Sequence, residues 1–412
     1  MIKVWTDAAE AGLLDRNGER GSTFANLSDA APTRAVSVTM PVRLESWSVS
    51  FGLLPVFEMN LPEGALRERL RLSFAKAIGT FDEFDLLSIV GRSQVGRIRY
   101  TGDKEQLHED VPFQSVEEIL ERGRGRGGDL FRYLLEKFAS FSGISGVQPK
   151  ILLRDEKAFE ERDPAGHRLS QSYRGATHIV KFWDANEYPQ LAANEYFCLE
   201  AARKCGLDVP PYRLAEDGMA LVIDRFELRT DGTYRGFEDF CVLNGRRTDE
   251  KYRGSYETSV LKRFGQFANS THVNEDIEKL FTLIALNCAI RNGDAHLKNF
   301  GIVYEDVQGE ARLAPVYDLV TTSVYLPKDS MALTLNGTTK WASTKELQRL
   351  GETRMGASPA RVREILQRIG DAIADTSTEL RAYLNEHAEF EDIGNRMLQQ
   401  WEQGVALSLK GA

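Results

Sequence analysis

The sequence predicts an α+β protein in which a small mixed domain precedes a strand-rich lobe and a helical lobe. Short apolar or alternating runs separated by turn residues occupy the first hundred residues. Strand-like runs then surround one helix between residues 151 and 226, and helical spacing of apolar residues prevails after residue 255. The chain has 412 residues, 42% of them hydrophobic, which is enough for two or three packed units.

The first unit is predicted to be a small α+β domain over residues 1–105. Val36–Met40 and Leu86–Val90 are short apolar runs bounded by turn residues, which is typical of strands. The spacing around Ala65–Ile78 indicates a helix.

Residues 106–135 are predicted to be a surface linker. Their centre, Arg122–Gly128, alternates glycine with arginine, and this combination removes backbone restraint and keeps the segment solvated. A nucleic-acid contact of the arginine–glycine type is the alternative. It is less favoured, because the run is a single short copy without interleaved aromatic residues.

Residues 136–228 form the predicted strand-rich lobe. Its strands are expected at Ile151–Leu153, His178–Phe182 and Ala220–Ile223, around a helix at Leu191–Lys204.

The last lobe, residues 229–412, is predicted to be all-helical. Helices are expected at Val260–Phe267, Ile277–Arg291, Pro359–Ala374 and Glu379–Leu384.

Composition and charge exclude several classes of function. The 61 acidic residues outnumber the 52 Lys and Arg, so no chain-wide positive field attracts nucleic acid. The longest apolar stretch, Phe281–Ile290, is too short to span a bilayer, and the N-terminus lacks the pattern of a signal peptide. The four cysteines are too sparse for a disulfide framework: Cys198, Cys205, Cys241 and Cys288. We therefore expect a cytoplasmic protein without membrane contact.

The most informative stretch is the polar run Asn292–Asn299, which follows a predicted apolar helix. Asp294 and Asn299 lie five residues apart on one tight loop, so their side chains can face the same small volume. A carboxylate there can accept a proton from an attacking hydroxyl, and an amide oxygen is a hard ligand suited to Mg²⁺. This D-x-x-x-x-N spacing is that of the catalytic loop of kinase-like enzymes. A polar turn that only satisfies backbone groups is the alternative.

A second carboxylate follows in the mostly apolar run Leu313–Leu319. Asp318 near its end is costly to bury unless it is paired or binds a metal, so it is the candidate second Mg²⁺ ligand. A helix-capping aspartate is the alternative.

Lys181 lies inside the apolar strand candidate His178–Phe182. In kinase-like folds such a lysine pairs with ATP phosphates and is held by a glutamate on the following helix. Glu195 is the favoured partner and Glu200 the other candidate. A lysine that points to solvent is the alternative.

The stretch Ser142–Lys150 contains two glycines directly before a predicted strand. Such a turn lets backbone N–H groups approach phosphates, with Lys150 as an added cation. The order of loop, strand lysine, helix glutamate, catalytic Asp and Asn, and metal Asp is that of kinases, which predicts a protein-kinase-like two-lobed fold.

With these motifs the sequence resembles the HipA family of bacterial serine/threonine kinases, the toxins of HipBA-type toxin–antitoxin modules. The stretches that carry the resemblance are Asn60–Gly64, Val90–Arg92, Ser145–Lys150, Thr177–Lys181, Asn194–Leu199, Asp224–Phe226, Asn292–Phe300, Tyr317–Leu319 and Met331–Gly337. They span nearly the whole chain in the family's order.

The resemblance implies ATP and Mg²⁺ in the cleft between the lobes, with Asp294 as the base and Lys181 on the phosphates. The residues implied to contact ATP are Ser145, Gly146, Val147, Gln148, Pro149, Lys150, Lys181, Asp224, Arg225, Phe226, His296, Leu297, Lys298, Asn299, Tyr317 and Asp318. Asn299 and Asp318 would be the metal ligands, and Asp224–Phe226 the hinge beside adenine. A metal-ligand role for His296 is not favoured, because no second histidine lies at ligand spacing.

The resemblance also implies inhibitory autophosphorylation of a serine three residues before the loop glycine. That position is Gly143 in this sequence, so Ser142 and Ser145 are both candidates.

The implied function is an ATP- and Mg²⁺-dependent serine/threonine protein kinase, the toxin of a toxin–antitoxin system. Its implied partners are a HipB-like helix-turn-helix antitoxin, operator DNA reached mainly through that antitoxin, and a protein substrate, by family analogy an aminoacyl-tRNA synthetase. A small-molecule phosphotransferase is one alternative, since Asp294, His296 and Asn299 also match the D-x-H-x-x-N spelling of those enzymes. A catalytically silent corepressor in a DNA complex is the other.

Overall fold

The structure is a computed structural model that describes most of the chain. The described residues are 1–18, 20–74, 81–121, 127–159, 173–183, 187–268 and 271–410.

An antiparallel sheet of five strands forms the N-terminal subdomain. In chain order these strands are β1 Ile2–Thr6, β2 Ala9–Asn17, β3 Gly21–Asn26, β4 Trp47–Val49 and β5 Ile98–Gly102, arranged β4-β3-β2-β1-β5. Asp7 and Ala8, which both have positive φ, make the two-residue turn between β1 and β2. The helices of this subdomain are α1 Pro55–Glu58, α2 Gly64–Phe74 and α3 Glu83–Val90.

The strand predicted at Leu86–Val90 is wrong, because these residues form the second half of α3. Asp82 caps this helix by accepting a hydrogen bond from the Asp85 backbone N–H at 3.0 Å, and the Asp85 carboxylate accepts one from Asp82 N–H. This reciprocal capping starts the helix at Glu83, ahead of the apolar run, so the run alone does not reveal the helix. The strand predicted at Val36–Met40 is also wrong, since only an isolated bridge joins Ser37 and Met40.

The segment predicted as a linker contains two helices in its described part, α4 Val116–Glu121 and α5 Gly127–Phe138. Their apolar side chains Val116, Ile119 and Leu134 are fully buried. Residues 122–126, most of the predicted arginine–glycine run, lie outside the described residues.

The strand-rich lobe follows the prediction closely. Its antiparallel sheet has the order β6-β7-β9-β8, and helix α6 packs on it. The bounds are β6 Lys150–Leu153, β7 His178–Phe182, α6 Leu191–Lys204, β8 Tyr212–Leu214 and β9 Ala220–Asp224.

The C-terminal lobe is not all-helical as predicted, because it also holds a three-stranded sheet of β10 Gly236–Asp239, β11 Gly301–Tyr304 and β12 Ala311–Leu313. The strands are short, and acids at buried positions of β10 hide its pattern. The helices are α7 Phe240–Leu243, α8 Arg263–Phe267, α9 Val273–Ala289, α10 Thr344–Leu350, α11 Pro359–Leu384 and α12 Glu391–Ser408, with π-helical turns at Tyr256–Lys262 and Gly351–Met355.

Buried charged groups join the N-terminal subdomain to the rest of the chain. The fully buried carboxylate of Glu238 on β10 accepts hydrogen bonds from Ser37 Oγ at 2.6 Å and Val38 N–H at 2.8 Å. The Arg225 guanidinium, after β9, donates to the Gln94 carbonyl at 2.7 Å. The subdomain is therefore docked on both lobes.

Among the described residues, no helix has both the length and the apolar character needed to cross a bilayer. All four cysteines are buried free thiols.

The close approach of α12 to the end of α9 yields a stability prediction. A Cβ at Gly404 would lie 1.9 Å from the Ala289 carbonyl oxygen, so Gly404→Ala forces the helices apart and should cost about 1–3 kcal/mol. The loss is measured by urea unfolding, followed through the fluorescence of the five tryptophans, which include buried Trp401 on α12. The matched control is Gly370→Ala on α11. Its Cβ would meet only Leu409 Cδ1 at 3.9 Å, so it should gain up to about 1 kcal/mol from helix propensity. Equal effects of the two substitutions would contradict the close packing.

Candidate active site

A cleft of about 430 Å³ lies between the strand-rich and helical lobes, and the N-terminal subdomain closes one side of it. Thirteen of the residues proposed for the site line this cavity. They are Ser145, Gly146, Val147, Gln148, Lys150, Lys181, Phe226, Asp294, His296, Lys298, Asn299, Tyr317 and Asp318. Residues that lie 173 positions apart in the sequence, from Ser145 to Asp318, thus face one volume.

The two cleft lysines are direct neighbours across the sheet. Lys150 on β6 pairs in register with Lys181 on β7, so their side chains leave the same face side by side. Both are almost fully buried. Lys181 Nζ contacts Glu195 Oε1 on α6 at 2.5 Å, so Glu195 and not Glu200 is the α6 acid beside this lysine. Glu195 is itself fully buried behind the lysine and does not line the cavity.

Asp318 is the carboxylate that the two lysines share. Its Oδ1 contacts Lys181 Nζ directly and lies 3.6 Å from Lys150 Nζ. Burial alone raises the pKa of Asp318, but the charges of Lys150 and Lys181 outweigh this and hold it well below its usual range. In the same way, burial lowers the pKa of Lys181, while Asp318 and Glu195 raise it above its usual value. Both directions favour the charged forms of Asp318 and Lys181.

Asp318 does not end a strand, as the apolar run Leu313–Leu319 suggested. Strand β12 ends at Leu313, and Asp318 sits in the following loop with a φ of 50°. A left-handed conformation is unfavourable for a residue other than glycine, and it persists where the surroundings fix it. The contacts to both lysines supply that constraint here.

The candidate catalytic loop begins with a helix cap that turns the chain back into the cleft. After α9 ends, Asn292 N–H bonds to the Asn287 carbonyl at 2.9 Å and Arg291 N–H to Cys288 at 3.4 Å. This is the Schellman arrangement, with Arg291 (φ 60°) at the position that glycine usually takes. The loop is thereby rigidly attached to a buried helix.

Asp294 is half-buried, and its carboxylate faces the cleft. Tyr252 Oη donates a hydrogen bond to Asp294 Oδ1 at 2.6 Å, and His296 Nε2 lies 3.8 Å from the same oxygen. Burial raises the pKa of Asp294, and the bond from Tyr252 offsets part of this. Asn299 Nδ2 donates to the Asp294 carbonyl at 2.8 Å, so the two residues of the D-x-x-x-x-N pair are fixed to each other.

His296 is buried and neutral. Burial, together with the nearby ammonium groups of Lys251 and Lys298, lowers its pKa to about 3. Its Nδ1 is buried and has no hydrogen-bond partner among the described residues. His296 lines the cavity, although its Nδ1 atom is shielded from solvent.

An aromatic wall forms the other end of the cleft. Phe226 stacks on Tyr317 with ring centroids 6.2 Å apart and meets Phe237 edge-on at 5.5 Å. Asp224 does not line the cavity, and its carboxylate lies 3.3 Å from His178 Nε2. Arg225 is also outside the cavity, with its guanidinium bound to Glu227 and to backbone carbonyls. Within the predicted hinge, only Phe226 reaches the site.

The two candidate serines differ sharply in environment. Ser142 is fully buried, with its hydroxyl donating to the Phe138 carbonyl at 2.8 Å and accepting from Leu152 N–H at 2.9 Å. Ser145 is only partly buried and lines the cleft. Pro149 and Leu297 do not line it.

Sequence reasoning missed several polar residues that line the cleft, among them Glu63, Lys251, Tyr252 and Asp329. Glu63 belongs to the stretch Asn60–Gly64, whose match to the family was the available signal. Lys251 and Tyr252 lie in a polar loop without a distinctive pattern, so no signal pointed to them.

The donor set fits Mg²⁺ and a nucleotide. The described residues hold no cluster of three or more His, Cys, Asp or Glu able to enclose a metal. Mg²⁺ in phosphate-transfer sites takes one or two protein ligands, with water and phosphate oxygens completing its shell. The Asp318 carboxylate and the Asn299 side-chain oxygen match this requirement, and two buried lysines match a polyanion.

The fold and the cleft together define a kinase-like two-lobed α+β protein. The HipA N-terminal domain matches residues 2–101, and the HipA-like C-terminal domain matches residues 142–377. The chain therefore belongs to the HipA family.

Its relatives agree with this assignment. The chain is 30% identical over 345 residues to the putative kinase Y4mE of Sinorhizobium fredii, which covers 79% of this chain and 78% of that protein. It is 28% identical over 306 residues to the putative kinase Y4dM of the same organism, covering 70% and 67%. HipA in a complex of a Shewanella oneidensis MR-1 toxin–antitoxin system, with HipB and operator DNA, has the same fold. Its TM-score is 0.65 at 16% identity, over 98% of this chain and 97% of that one.

The neutral state of His296 predicts a pH dependence of stability. Its folded pKa is about 3 against an ordinary value of 6.5, so the unfolded state takes up the proton first as the pH falls. The stability that neutral His296 contributes is present above pH 6.5 and is lost as the pH falls towards 3. Between pH 7.5 and 5.0 the wild type should lose about 2 kcal/mol through this group, and His296→Gln should not.

The measurement is the free energy of unfolding in urea at both pH values. Tyr256→Phe is the matched control. It removes the neighbouring hydrogen bond to the Ala295 carbonyl, 3.0 Å long, and should lower stability equally at both pH values. An unchanged pH dependence in His296→Gln would rule out a neutral His296.

Proposed function

We propose that this protein is an ATP- and Mg²⁺-dependent serine/threonine protein kinase. The observation that carries the proposal is that Lys181 contacts buried Glu195 on one side and Asp318 on the other, at the cleft that also holds Asp294. These are the phosphate lysine, its helix glutamate, the metal aspartate and the base of a phosphoryl-transfer site.

In this proposal the phosphates of ATP lie between the glycine-containing loop 145–148 and the two buried lysines. Lys150 and Lys181 neutralise phosphate charge, and adenine lies towards the wall of Phe226, Phe237 and Tyr317. Asn299 and Asp318 would hold Mg²⁺. When bound, this ion neutralises charge on the phosphate oxygens.

Asp294 acts as the base for the acceptor. A substrate hydroxyl that reaches its carboxylate donates its proton there as its oxygen attacks the terminal phosphorus, and ADP leaves. The raised pKa of Asp294 suits proton acceptance, because burial makes the carboxylate a stronger base.

We further propose that the kinase is the toxin of a toxin–antitoxin system in the cytoplasm. Family membership and the fold shared with the HipA of a HipA–HipB–operator complex support a HipB-like helix-turn-helix antitoxin as partner. The antitoxin would supply most of the DNA contact, since this chain has a formal net charge of −9. The proposed substrate is an aminoacyl-tRNA synthetase, whose phosphorylation would arrest growth.

Autophosphorylation is proposed for Ser145 rather than Ser142. The Ser145 side chain faces the cleft, whereas the Ser142 hydroxyl is consumed by two buried hydrogen bonds. A phosphoserine at 145 adds about 1.5 to 2 negative charges beside the phosphate site, which would repel ATP.

The catalytic assignment predicts that Asp294→Asn abolishes phosphate transfer while the protein remains folded. Loss of the base and its charge should lower the rate at least about 100-fold, measured with labelled ATP and a cell lysate as the source of acceptors. Growth arrest on induction should disappear with the activity.

Asp306→Asn, at an exposed turn of the same lobe, is the matched control and should retain activity and toxicity. A labelled protein band supports a protein kinase, and a labelled small product would favour the small-molecule phosphotransferase. An equally toxic Asp294→Asn protein would contradict the mechanism.

The autophosphorylation site yields a separate prediction. After incubation with ATP, mass spectrometry should find phosphate on Ser145 in the wild type and in Ser142→Ala. It should find none in the loop of Ser145→Ala or of Asp294→Asn. Phosphate on Ser142, or an unmodified loop in an enzyme that labels other proteins, would refute the proposal.

A further inference from the structure

The turn Met59–Gly64 of the N-terminal subdomain lies at the edge of the cleft and has no role in the proposed chemistry. It follows α1 and leads into α2. Asn60 anchors it within its own subdomain by donating to the Val95 carbonyl at 2.8 Å, and Asn60 is buried. The turn is thus a fixed feature of the subdomain surface that faces the site.

This turn contacts the glycine-containing loop 145–148, the proposed phosphate-binding loop, in two ways. Glu63 Oε1 accepts a hydrogen bond from Gly146 N–H at 3.2 Å. Within the described residues, this is the only hydrogen bond donated by a backbone N–H group of residues 145–148. Gly64, with a φ of 52°, packs so closely that a Cβ would lie 2.6 Å from the Val147 carbonyl oxygen.

The same turn also reaches the helical lobe. Glu63 Oε2 pairs with Lys251 Nζ at 3.1 Å, and the Met59 carbonyl accepts from Lys298 Nζ at 2.6 Å. Lys251 is tied to the catalytic loop, since its carbonyl accepts from Leu297 N–H at 3.1 Å. One carboxylate therefore connects the glycine-containing loop of one lobe with the catalytic loop of the other.

We propose that Glu63 is a positioning residue that latches the phosphate-binding loop in place across the cleft. The inference rests on the proposed function in so far as this loop binds ATP. A loop with two glycines has many accessible backbone conformations, so a charged acceptor for its N–H and a close backbone contact restrict it before the nucleotide arrives. The N-terminal subdomain thereby contributes directly to the nucleotide site.

The opposite possibility is that Glu63 competes with phosphate for Gly146 N–H and Lys251. The two possibilities predict opposite changes in ATP affinity. A latch predicts that removing the carboxylate weakens ATP binding, whereas a competitor predicts that it tightens binding.

The first test measures the loop without nucleotide. Hydrogen–deuterium exchange of a peptide covering residues 143–149 is compared in the wild type, Glu63→Ala and Glu63→Gln. Protection should fall about three- to tenfold in Glu63→Ala, and less in Glu63→Gln, which keeps an acceptor but loses the ion pair. Glu68→Gln is the matched control, because Glu68 is an exposed acid of α2 that pairs with Arg71. It should leave the exchange unchanged.

The second test measures affinity in the same proteins. The Kd of ATP should rise about three- to tenfold in Glu63→Ala, while the Kd of adenosine, which carries no phosphate, should stay constant. Lys251→Met removes the other half of the ion pair and should weaken ATP binding in the same direction.

Unchanged loop exchange in Glu63→Ala, or tighter ATP binding, would overturn the latch. If the wild type itself bound no ATP, the proposed kinase function would fail. The exchange experiment, which uses no nucleotide, would still decide whether Glu63 holds the loop.

Discussion

Two lysine ammonium groups buried side by side impose the constraint on which the rest of this structure depends. Lys150 and Lys181 are register partners on adjacent antiparallel strands, so the sheet itself brings two like charges together. Each buried cation costs several kcal/mol unless it is paired. Their partners are Glu195 on α6 and Asp318 in a loop of the other lobe. The sheet therefore needs both the helix and the loop, and the cleft between the lobes is where its charges are neutralised.

This requirement explains the backbone on the opposite side of the cleft. Asp318 and Arg291 both adopt left-handed conformations that are costly for residues with a side chain. At Arg291 the cost is offset by the two cap hydrogen bonds that end α9, and at Asp318 by the contacts to both lysines. Asp294 therefore follows one turn with a left-handed residue, and Asp318 lies in another. The first turn is fixed by the cap of α9 and the second by contacts to the two lysines. Backbone strain of this kind is concentrated at functional sites, and it persists only where the surrounding structure fixes the conformation.

The parts of the site that could be predicted are those with a local pattern. Asp294 and Asn299 share a short loop, Lys181 interrupts an apolar strand, and helix α6 has the predicted bounds. Contacts between residues that are far apart in the sequence have no such local pattern. The register that pairs Lys150 with Lys181 depends on how two strands align, and the helical state of Leu86–Val90 depends on a cap outside the apolar run. Strand β10 was missed because Glu238 and Asp239 occupy buried positions in it.

Buried charges explain why only Phe226 of the predicted hinge lines the cleft. A charged residue within an apolar run needs a partner, and the sequence looks the same whether that partner is protein or ligand. The Arg225 guanidinium is satisfied within the fold by Glu227, Gln94 and Ala176, which leaves it no capacity for a nucleotide. By contrast, Lys150 and Lys181 share the Asp318 carboxylate and line the cleft. Position at the cleft, rather than the presence of charge, therefore separates the residues proposed to bind a ligand from those that hold the lobes together.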